Sequence, residues 1–176
     1  MYGDTLAAKM PYMQTPIIQW LESYLTKDMR VFEWGAGGST LFISKRVKSL
    51  VSIEYGKRWY VKILWHVIKN GLFNCRLKLV LPDTVPDENY RSQGKYGHLT
   101  FKNFASAIDN YPDDSFDLIV VDGRARAQCL QHAKNKVKRG GYILLDDADR
   151  AEYQSVINAF GFKVSLIERG AFMQRV

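Results

Sequence analysis

Cysteine is scarce in this chain, which has two in 176 residues, Cys75 and Cys129. They lie far apart and neither belongs to a Cys-x-x-Cys pair, so the sequence supports neither a disulfide framework nor a cysteine zinc site. Histidine is also rare, and His66, His98 and His132 show no metal-ligand spacing. These absences exclude disulfide-rich and zinc-finger classes, and buried free thiols are the expected state of both cysteines.

Long apolar runs are missing as well. No stretch reaches the roughly 18 apolar residues of a membrane span, and residues 1–12 lack the basic-then-apolar pattern of a secretion signal. The composition, 47% hydrophobic and 24% charged, is that of a folded domain. A chain of this length suits one domain with one core. We therefore expect a single domain over residues 1–176, no membrane partner and a cytoplasmic location.

Positive charge is in excess, with a net charge of +7. Residues 45–78 contain nine Lys or Arg and one acid, Glu54. A basic surface can attract nucleic acid or another anionic partner, but no nucleic-acid-binding motif accompanies these charges. The solvated outer face of two helices is the favoured interpretation, and a nucleic-acid partner is the alternative.

The most informative segment is residues 31–42, VFEWGAGGSTLF. A short apolar strand near 30–34 leads into a glycine-rich turn, after which Ser39 and Thr40 suit the start of a helix. Glycine allows a tight turn and close approach of a ligand, as at the nucleotide-binding edge of open α/β sheets. A dinucleotide fingerprint needs a third glycine where this chain has Thr40, so a nicotinamide dehydrogenase fits poorly.

The acid-x-Gly-x-Gly pattern at Glu33, Gly35 and Gly37 resembles the first motif of class I S-adenosylmethionine (SAM)-dependent methyltransferases. A carboxylate suits SAM, whose amino and sulfonium groups are positive, and it would repel a pyrophosphate. A second apolar strand, 50–54, ends in Glu54, 21 residues after Glu33. An acid at that position accepts hydrogen bonds from the ribose hydroxyls of a bound cofactor.

Strands and helices alternate along the rest of the chain. The pattern predicts helices near 16–26, 39–47, 60–70, 101–111, 125–138 and 150–160, and strands near 30–34, 50–54, 76–81, 115–122, 142–145, 162–167 and 171–175. In the helix near 60–70, the predicted buried stripe is Tyr60, Leu64, Val67 and Ile68. Such alternation predicts an α/β fold, a parallel sheet with helices on both faces. The last two strands, joined by a short link, should be antiparallel.

Residues 82–99 break this pattern. They contain prolines, glycines, tyrosines and His98 without periodicity, and long irregular loops in compact domains are usually functional or mobile. We interpret the segment as a substrate-side loop, with His98 as a candidate general base. Asp83 is a candidate for the adenine amino group, or a turn residue. Within the N-terminal segment and helix, 1–27, the helix over 16–26 should pack on the sheet beside the glycine turn. The residues before it, 10–13, either cover the site or pack on the core, and packing is favoured.

Four segments in order carry a family likeness over residues 28–176: EWGAGGST at 33–40, SIE at 52–54, FDLIVVDG at 116–123 and GGYILLDD at 140–147. Together they resemble the successive motifs of class I SAM-dependent methyltransferases. The resemblance implies a Rossmann-like fold with a seven-stranded sheet, and SAM as methyl donor. The cofactor-binding residues that we expect on this basis are Glu33, Gly35, Ala36, Gly37, Ser39, Thr40, Glu54, Tyr55, Asp83 and Asp122.

Acids also follow the two central strands. This arrangement resembles metal-dependent O-methyltransferases of the catechol type and related sugar-modifying enzymes. Those enzymes place one acid after strand four and a pair of acids after strand five. Here Asp122 matches the first position, and Asp146 and Asp147 match the second. Converging carboxylates need a cation, so this likeness implies a Mg²⁺ that holds a substrate hydroxylate. The alternative is that the acids cap a helix or pair with arginines such as Arg124 and Arg126, which depart from the catechol type.

The sequence thus predicts a SAM-dependent methyltransferase acting on a hydroxyl or amine of a small molecule, with Asp122 as the first candidate for proton removal. Two alternatives stay open. One is a nucleic-acid-directed methyltransferase that uses the basic segment 45–78, and the other is a non-catalytic SAM-binding domain. A homodimer that completes the pocket is a further prediction.

Overall fold

A seven-stranded sheet forms the centre of the molecule. The computed structural model describes residues 3–92 and 94–176. The strands are β1 (Arg30–Trp34), β2 (Ser49–Glu54), β3 (Cys75–Leu79), β4 (Phe116–Val121), β5 (Val137–Leu145), β6 (Lys163–Ile167) and β7 (Gly170–Gln174). Their spatial order is β3-β2-β1-β4-β5-β7-β6. Strands β1 to β5 pair in parallel, and β7 is antiparallel to both β5 and β6. The predicted α/β architecture is confirmed.

Helices cover both faces of this sheet. They are α1 (Gly3–Ala8), α2 (Thr15–Tyr24), α3 (Gly38–Ser44), α4 (Lys57–Lys69), α5 (Lys102–Ala105), α6 (Arg126–Ala133) and α7 (Ala151–Asn158), with 3-10 helices at Glu88–Tyr90, Gly94–Tyr96 and Ser106–Asn110. In β4, Ile119 packs in a cluster with residues of α5, α6 and α7, and Val120 packs in another with residues of α2 and α3. Successive strand residues point to opposite faces, so the core has two layers. Within the described ranges, no helix has the length and apolarity to cross a membrane.

Some predicted boundaries are wrong. The helix predicted over 125–138 ends at Ala133, and β5 begins at Val137. Gly141 lies inside that strand and not at a helix end. A Cβ there would stand 2.7 Å from the carbonyl oxygen of Asp117, which explains why this strand position is a glycine. The helix predicted over 101–111 is divided into α5 and a 3-10 helix. Helix α1 was not predicted.

The strand order places the predicted motifs at one edge. Strand β1 lies between β2 and β4. The strands that follow β1 first extend the sheet on one side, as β2 and β3, and then on the other side, as β4 and β5. Open parallel sheets bind ligands at such a switch point, outside the carboxyl ends of the strands. The ends of β1, β2, β4 and β5 bring together the segments after Trp34, Glu54, Val121 and Leu145.

Candidate functional site

A cleft of about 1620 Å³ opens at this edge of the sheet. The glycine turn after β1, the ends of β2, β4 and β5, and parts of the N-terminal segment and of the 82–99 loop line it. The predicted site residues among its walls are Gly35, Ala36, Gly37, Ser39, Glu54, Tyr55, Asp122, Asp146 and Asp147. The structure therefore assembles most of the predicted cofactor and metal residues in one place.

Gly35 and Gly37, in the turn after β1, need the absence of a side chain for different structural reasons. Gly35 has a φ of +93°, and a Cβ there would stand 2.4 Å from the carbonyl oxygen of Asp122. Its role is to let the turn pack against the end of β4. A Cβ on Gly37 would meet nothing within 4 Å, and Gly37 lines the cleft. Gly37 is thus the position at which the missing side chain leaves room for a ligand.

Glu33 lies beneath the turn, not in the cleft. Its side chain is fully buried and accepts hydrogen bonds from the hydroxyls of Ser39 at 2.5 Å, Thr40 at 2.6 Å and Ser52 at 2.6 Å. Thr40 in turn accepts a hydrogen bond from the N–H of Gly37 at 2.9 Å. Burial raises the pKa of the Glu33 carboxyl and the three hydroxyls oppose that shift. Glu33 and Thr40 therefore fix the shape of the turn from below.

Glu54, at the end of β2, is a buried acid on the wall of the cleft. Its Oε1 accepts hydrogen bonds from the backbone N–H groups of Tyr55 at 2.9 Å and Gly56 at 2.6 Å. Burial is the largest influence on this carboxyl and raises its pKa to about 7, although the two N–H donors and the charge of Arg124 act in the other direction. The side chain is thus a preorganised acceptor whose protonation changes near neutral pH.

Planar side chains stand beside Glu54. The guanidinium of Arg124 donates to the hydroxyl of Tyr55 through Nε at 3.2 Å and Nη2 at 3.0 Å. Its Cζ lies 4.1 Å from the ring centroid of Tyr96, from the 82–99 loop, and 5.4 Å from that of Tyr55. The indole N–H of Trp59 donates to the carbonyl of Ala36 at 2.7 Å. This group of flat surfaces suits the faces of a purine base.

A buried arginine stands among the acids after β4 and β5. Nη2 of Arg126 lies 2.7 Å from Oδ1 of Asp122, and Nη1 lies 3.6 Å from Oδ2 of Asp147. Nη1 also donates to the backbone carbonyl of Asp146. Asp147 pairs in addition with Arg150 and with Arg169, the latter at 2.9 Å. The cations that pair with Asp122 and Asp147 in this structure are therefore guanidinium groups, and that of Arg126 is shared between the two acids.

Asp122, whose side chain is 26% exposed, and Asp146, which is buried, influence each other's ionisation. Burial raises the pKa of Asp122 well above its usual value, against the opposing charge of Arg126, and also raises that of Asp146. The negative charge of each carboxyl contributes to the raised pKa of its neighbours in this group, since Asp146 and Asp147 act on Asp122 and Asp147 acts on Asp146. Among the described residues, no group of three or more His, Cys, Asp or Glu is arranged to hold a metal ion. The arrangement matches the arginine-paired alternative, and the metal site stays a prediction without support here.

Two predicted site residues are placed away from the cleft. Asp83 accepts hydrogen bonds from the backbone N–H groups of Lys102 at 2.6 Å and Asn103 at 3.0 Å. It therefore caps the start of α5 and does not line the cleft. His98 is exposed in a turn of the 82–99 loop and is also not among the cleft residues. The structure brings neither of them to the other site residues.

Sequence reasoning missed several residues of the cleft wall, among them Trp59, Tyr96, Tyr153 and Gln14. Only tertiary contacts bring Tyr96, in the aperiodic loop, to the end of β2. The sequence weakly indicated that Trp59 lies near the site, since it follows Glu54, the acid at the end of β2, by five positions. Arg126 was noted in the sequence, but its central position among the acids was not predicted.

Comparisons with known proteins bear on the fold. No protein-family model and no curated protein match this chain. A methyltransferase-like protein from Silicibacter pomeroyi DSS-3 has a TM-score of 0.70 and 20% identity, over 94% of this chain and 90% of that chain. An rRNA methylase from Streptococcus thermophilus has a TM-score of 0.64 and 11% identity, over 94% and 100%. A Streptococcus mutans protein in complex with S-adenosylhomocysteine (SAH) has a TM-score of 0.59 and 13% identity, over 91% and 96%. This chain therefore has the Rossmann-like fold of class I SAM-dependent methyltransferases.

Proposed function

We propose that this protein binds SAM in the cleft and transfers its methyl group to an acceptor. The observation that carries the proposal is the pairing, in one cleft, of an open glycine turn at Gly37 with a buried acid, Glu54, at the neighbouring strand end. The fold and its switch point agree with it. The resemblance of the motifs to those of SAM-dependent methyltransferases adds support from the sequence.

Each part of the cofactor has a candidate partner. The turn at Gly37 and Ser39 offers room and polar groups for the methionine part, and Glu54 offers an acceptor for the ribose hydroxyls. Tyr55 and Arg124 offer flat surfaces for the adenine. When bound, SAM supplies an electrophilic methyl group on its sulfonium. Because methyl transfer is an in-line displacement, the task of these residues is alignment and exclusion of water.

The acceptor that we propose is a hydroxyl or amine on a small molecule. A volume of about 1620 Å³ exceeds the 300 to roughly 1,000 Å³ of a typical single-ligand site, which leaves room for a small acceptor beside the cofactor. Asp122 is the proposed proton acceptor, because its carboxyl stands on the cleft wall at the end of β4, beside the glycine turn. His98 has no role in this proposal, and Mg²⁺ has none because Arg126 supplies the balancing charge.

The test is calorimetric titration of the purified protein with SAH, in the presence of Mg²⁺ and then of EDTA. We expect micromolar binding that is insensitive to both additions and is lost in Glu54→Ala. The matched control is Glu22→Ala, which removes an exposed acid paired with Arg46. Absence of SAH binding by the folded wild-type protein would refute the proposal. Binding without methyl transfer to any tested hydroxyl or amine would favour a non-catalytic SAM-binding domain.

A nucleic-acid acceptor is the second candidate. The observation in its favour is that Lys57 and Arg58 line the cleft and have no carboxylate partner among the described residues. RNA binding that weakens steeply with added salt and requires both cations would support it.

A further inference from the structure

Helix α4 exposes an apolar stripe to solvent. Val61, Trp65 and Ile68 follow the spacing of one helical face, and their exposed fractions are 63%, 55% and 60%. Phe73, four residues past the helix, is 87% exposed. The prediction that Ile68 is buried is wrong, because Ile63 and Val67 occupy the face turned to the sheet. Large exposed apolar patches on a folded domain usually mark an interaction surface.

The same surface is strongly cationic. The exposed cations of α4 are Lys57, Arg58, Lys62 and Lys69, and Arg76, in β3, is exposed as well. None of them forms an ion pair with a carboxylate in the part of the chain that the structure describes. The ammonium of Lys69 lies 4.5 Å from the ring centroid of Trp65, so charge and apolar area adjoin. The one acid within 45–78, Glu54, is buried in the cleft wall.

These properties select among partners. A second copy of this chain would bring the same cations against one another, which opposes association through this face. A helical peptide would need a hydrophobic groove, but Val61, Trp65, Ile68 and Phe73 do not line the cleft described above. Nucleic acid would use the cations and the aromatic rings, but would gain little from the exposed aliphatic side chains of Val61 and Ile68.

An anionic lipid surface uses every part of the face. A helix with aromatic and aliphatic residues beside Lys and Arg lies in the plane of the interface, with its apolar side chains at the acyl boundary and its cations at the headgroups. We propose that α4 and Phe73 form a docking surface for anionic membranes. The expectation of no membrane partner rested on the absence of a span, and surface docking needs none. The inference is independent of the proposed methyl transfer.

The test is co-flotation of the protein with vesicles of phosphatidylcholine mixed with phosphatidylglycerol, against vesicles of phosphatidylcholine alone. We expect binding to the mixed vesicles, and at least tenfold weaker binding to the neutral ones. Trp65→Ser/Phe73→Ser should reduce binding about tenfold for each side chain removed from the bilayer. Lys62→Gln/Lys69→Gln should reduce it about fivefold for each charge. The matched control, Val85→Ser/Leu166→Ser, removes equally exposed apolar side chains elsewhere and should bind normally.

Each contrary outcome is informative. Failure of the wild-type protein to float with the mixed vesicles overturns the proposal. So does binding that is lost in the lysine variant but unchanged in the aromatic one, which would indicate adsorption by charge alone. A dimer in sedimentation that Trp65→Ser/Phe73→Ser dissociates would assign the face to a second copy. A gel shift of single-stranded RNA abolished by that variant would assign it to nucleic acid. SAH titration of the same variants, expected to be normal, keeps these results separate from the methyltransferase proposal.

Discussion

Nη2 of Arg126 lies 2.7 Å from Oδ1 of Asp122, and both side chains belong to the wall of the same cleft. The pair joins the start of α6 to the end of β4, one helical turn apart in sequence. Because Asp146 and Asp147 stand on the other side of the guanidinium, Arg126 is the central charge of the acidic end of the cleft. In Arg126→Met, the acids after β4 and β5 would face one another without it.

We expect Arg126→Met to lower the free energy of unfolding by about 2 kcal/mol, because it leaves the partly buried carboxylate of Asp122 without its partner. Urea denaturation measures the change. Arg150→Met is the matched control, since Arg150 also pairs with Asp147 but its side chain is 44% exposed, and exposed pairs contribute less than about 1 kcal/mol. Equal losses in the two variants would contradict the central role of Arg126.

The two glycines of the turn give a second prediction. Gly35→Ala forces a Cβ to within 2.4 Å of a backbone oxygen at a φ of +93°, so we expect a loss of stability of at least about 2 kcal/mol. Gly37→Ala places its methyl in open space and should alter stability by less than about 1 kcal/mol. The same methyl would narrow the proposed SAM site and weaken SAH binding roughly tenfold or more.

Thermal melting and SAH titration of the two glycine variants separate these effects. A folded Gly37→Ala that binds SAH like the wild-type protein would show that the ligand does not approach the turn. A normal melting temperature for Gly35→Ala would mean that the turn can move away from the end of β4.

Much of this fold was accessible from the sequence because its signals are local. The apolar runs that form β1, β2 and β4 end in polar or acidic residues within a few positions, and parallel pairing then brings those ends to one edge. The short link between the last two strands indicated the antiparallel pair β6 and β7. The start of β5 was misjudged because the preceding helix was predicted to continue to residue 138. Gly140 and Gly141 instead lie within the strand, and a side chain at Gly141 would clash with β4.

The site was less predictable, because its side chains find partners far away in the sequence. Glu33 satisfies three hydroxyls under the turn, so its carboxylate is not in the cleft wall. Tyr96 reaches the site through tertiary contacts that no spacing reveals. The spacing of Arg126 and Asp122 allowed their pairing, but not the approach of Arg126 to Asp147. For Ile68, the hydrophobic pattern of α4 allows two stripes, and only packing decides which one is buried.

Asp83 offers a direct test of one sequence-based assignment. Its side chain accepts two backbone N–H groups at the start of α5, so Asp83→Ala should cost about 1 kcal/mol of stability as the loss of a helix cap does. Asp83→Ser, which keeps a capping oxygen, should retain most of it. SAH affinity should stay unchanged in both. A selective loss of SAH affinity in Asp83→Ala would instead restore the predicted contact with adenine.

The raised pKa of Glu54 predicts how stability depends on pH. Its pKa is about 7 in the folded protein against 4.5 as the reference for the unfolded chain. Between these values the folded state binds the proton more tightly, so the contribution of Glu54 to stability falls as pH rises from about 4.5 to about 7 and is constant above that. The difference in unfolding free energy between wild type and Glu54→Gln, followed across this range, isolates the effect from those of Asp122 and Asp146.

Cofactor affinity should change in the opposite direction over the same interval. The ribose hydroxyls need the ionised carboxylate, so SAH binding to the wild-type protein should strengthen up to about tenfold per pH unit below about pH 7 and then level off. In Glu54→Gln the affinity should be weak and nearly independent of pH. Calorimetry in buffers of different ionisation enthalpy should detect release of a proton on binding below pH 7. A wild-type SAH affinity that does not change with pH across this range would mean that Glu54 does not accept hydrogen bonds from the ribose. If Glu54 bound the ligand only when ionised, the binding free energy would have to change as Glu54 titrates.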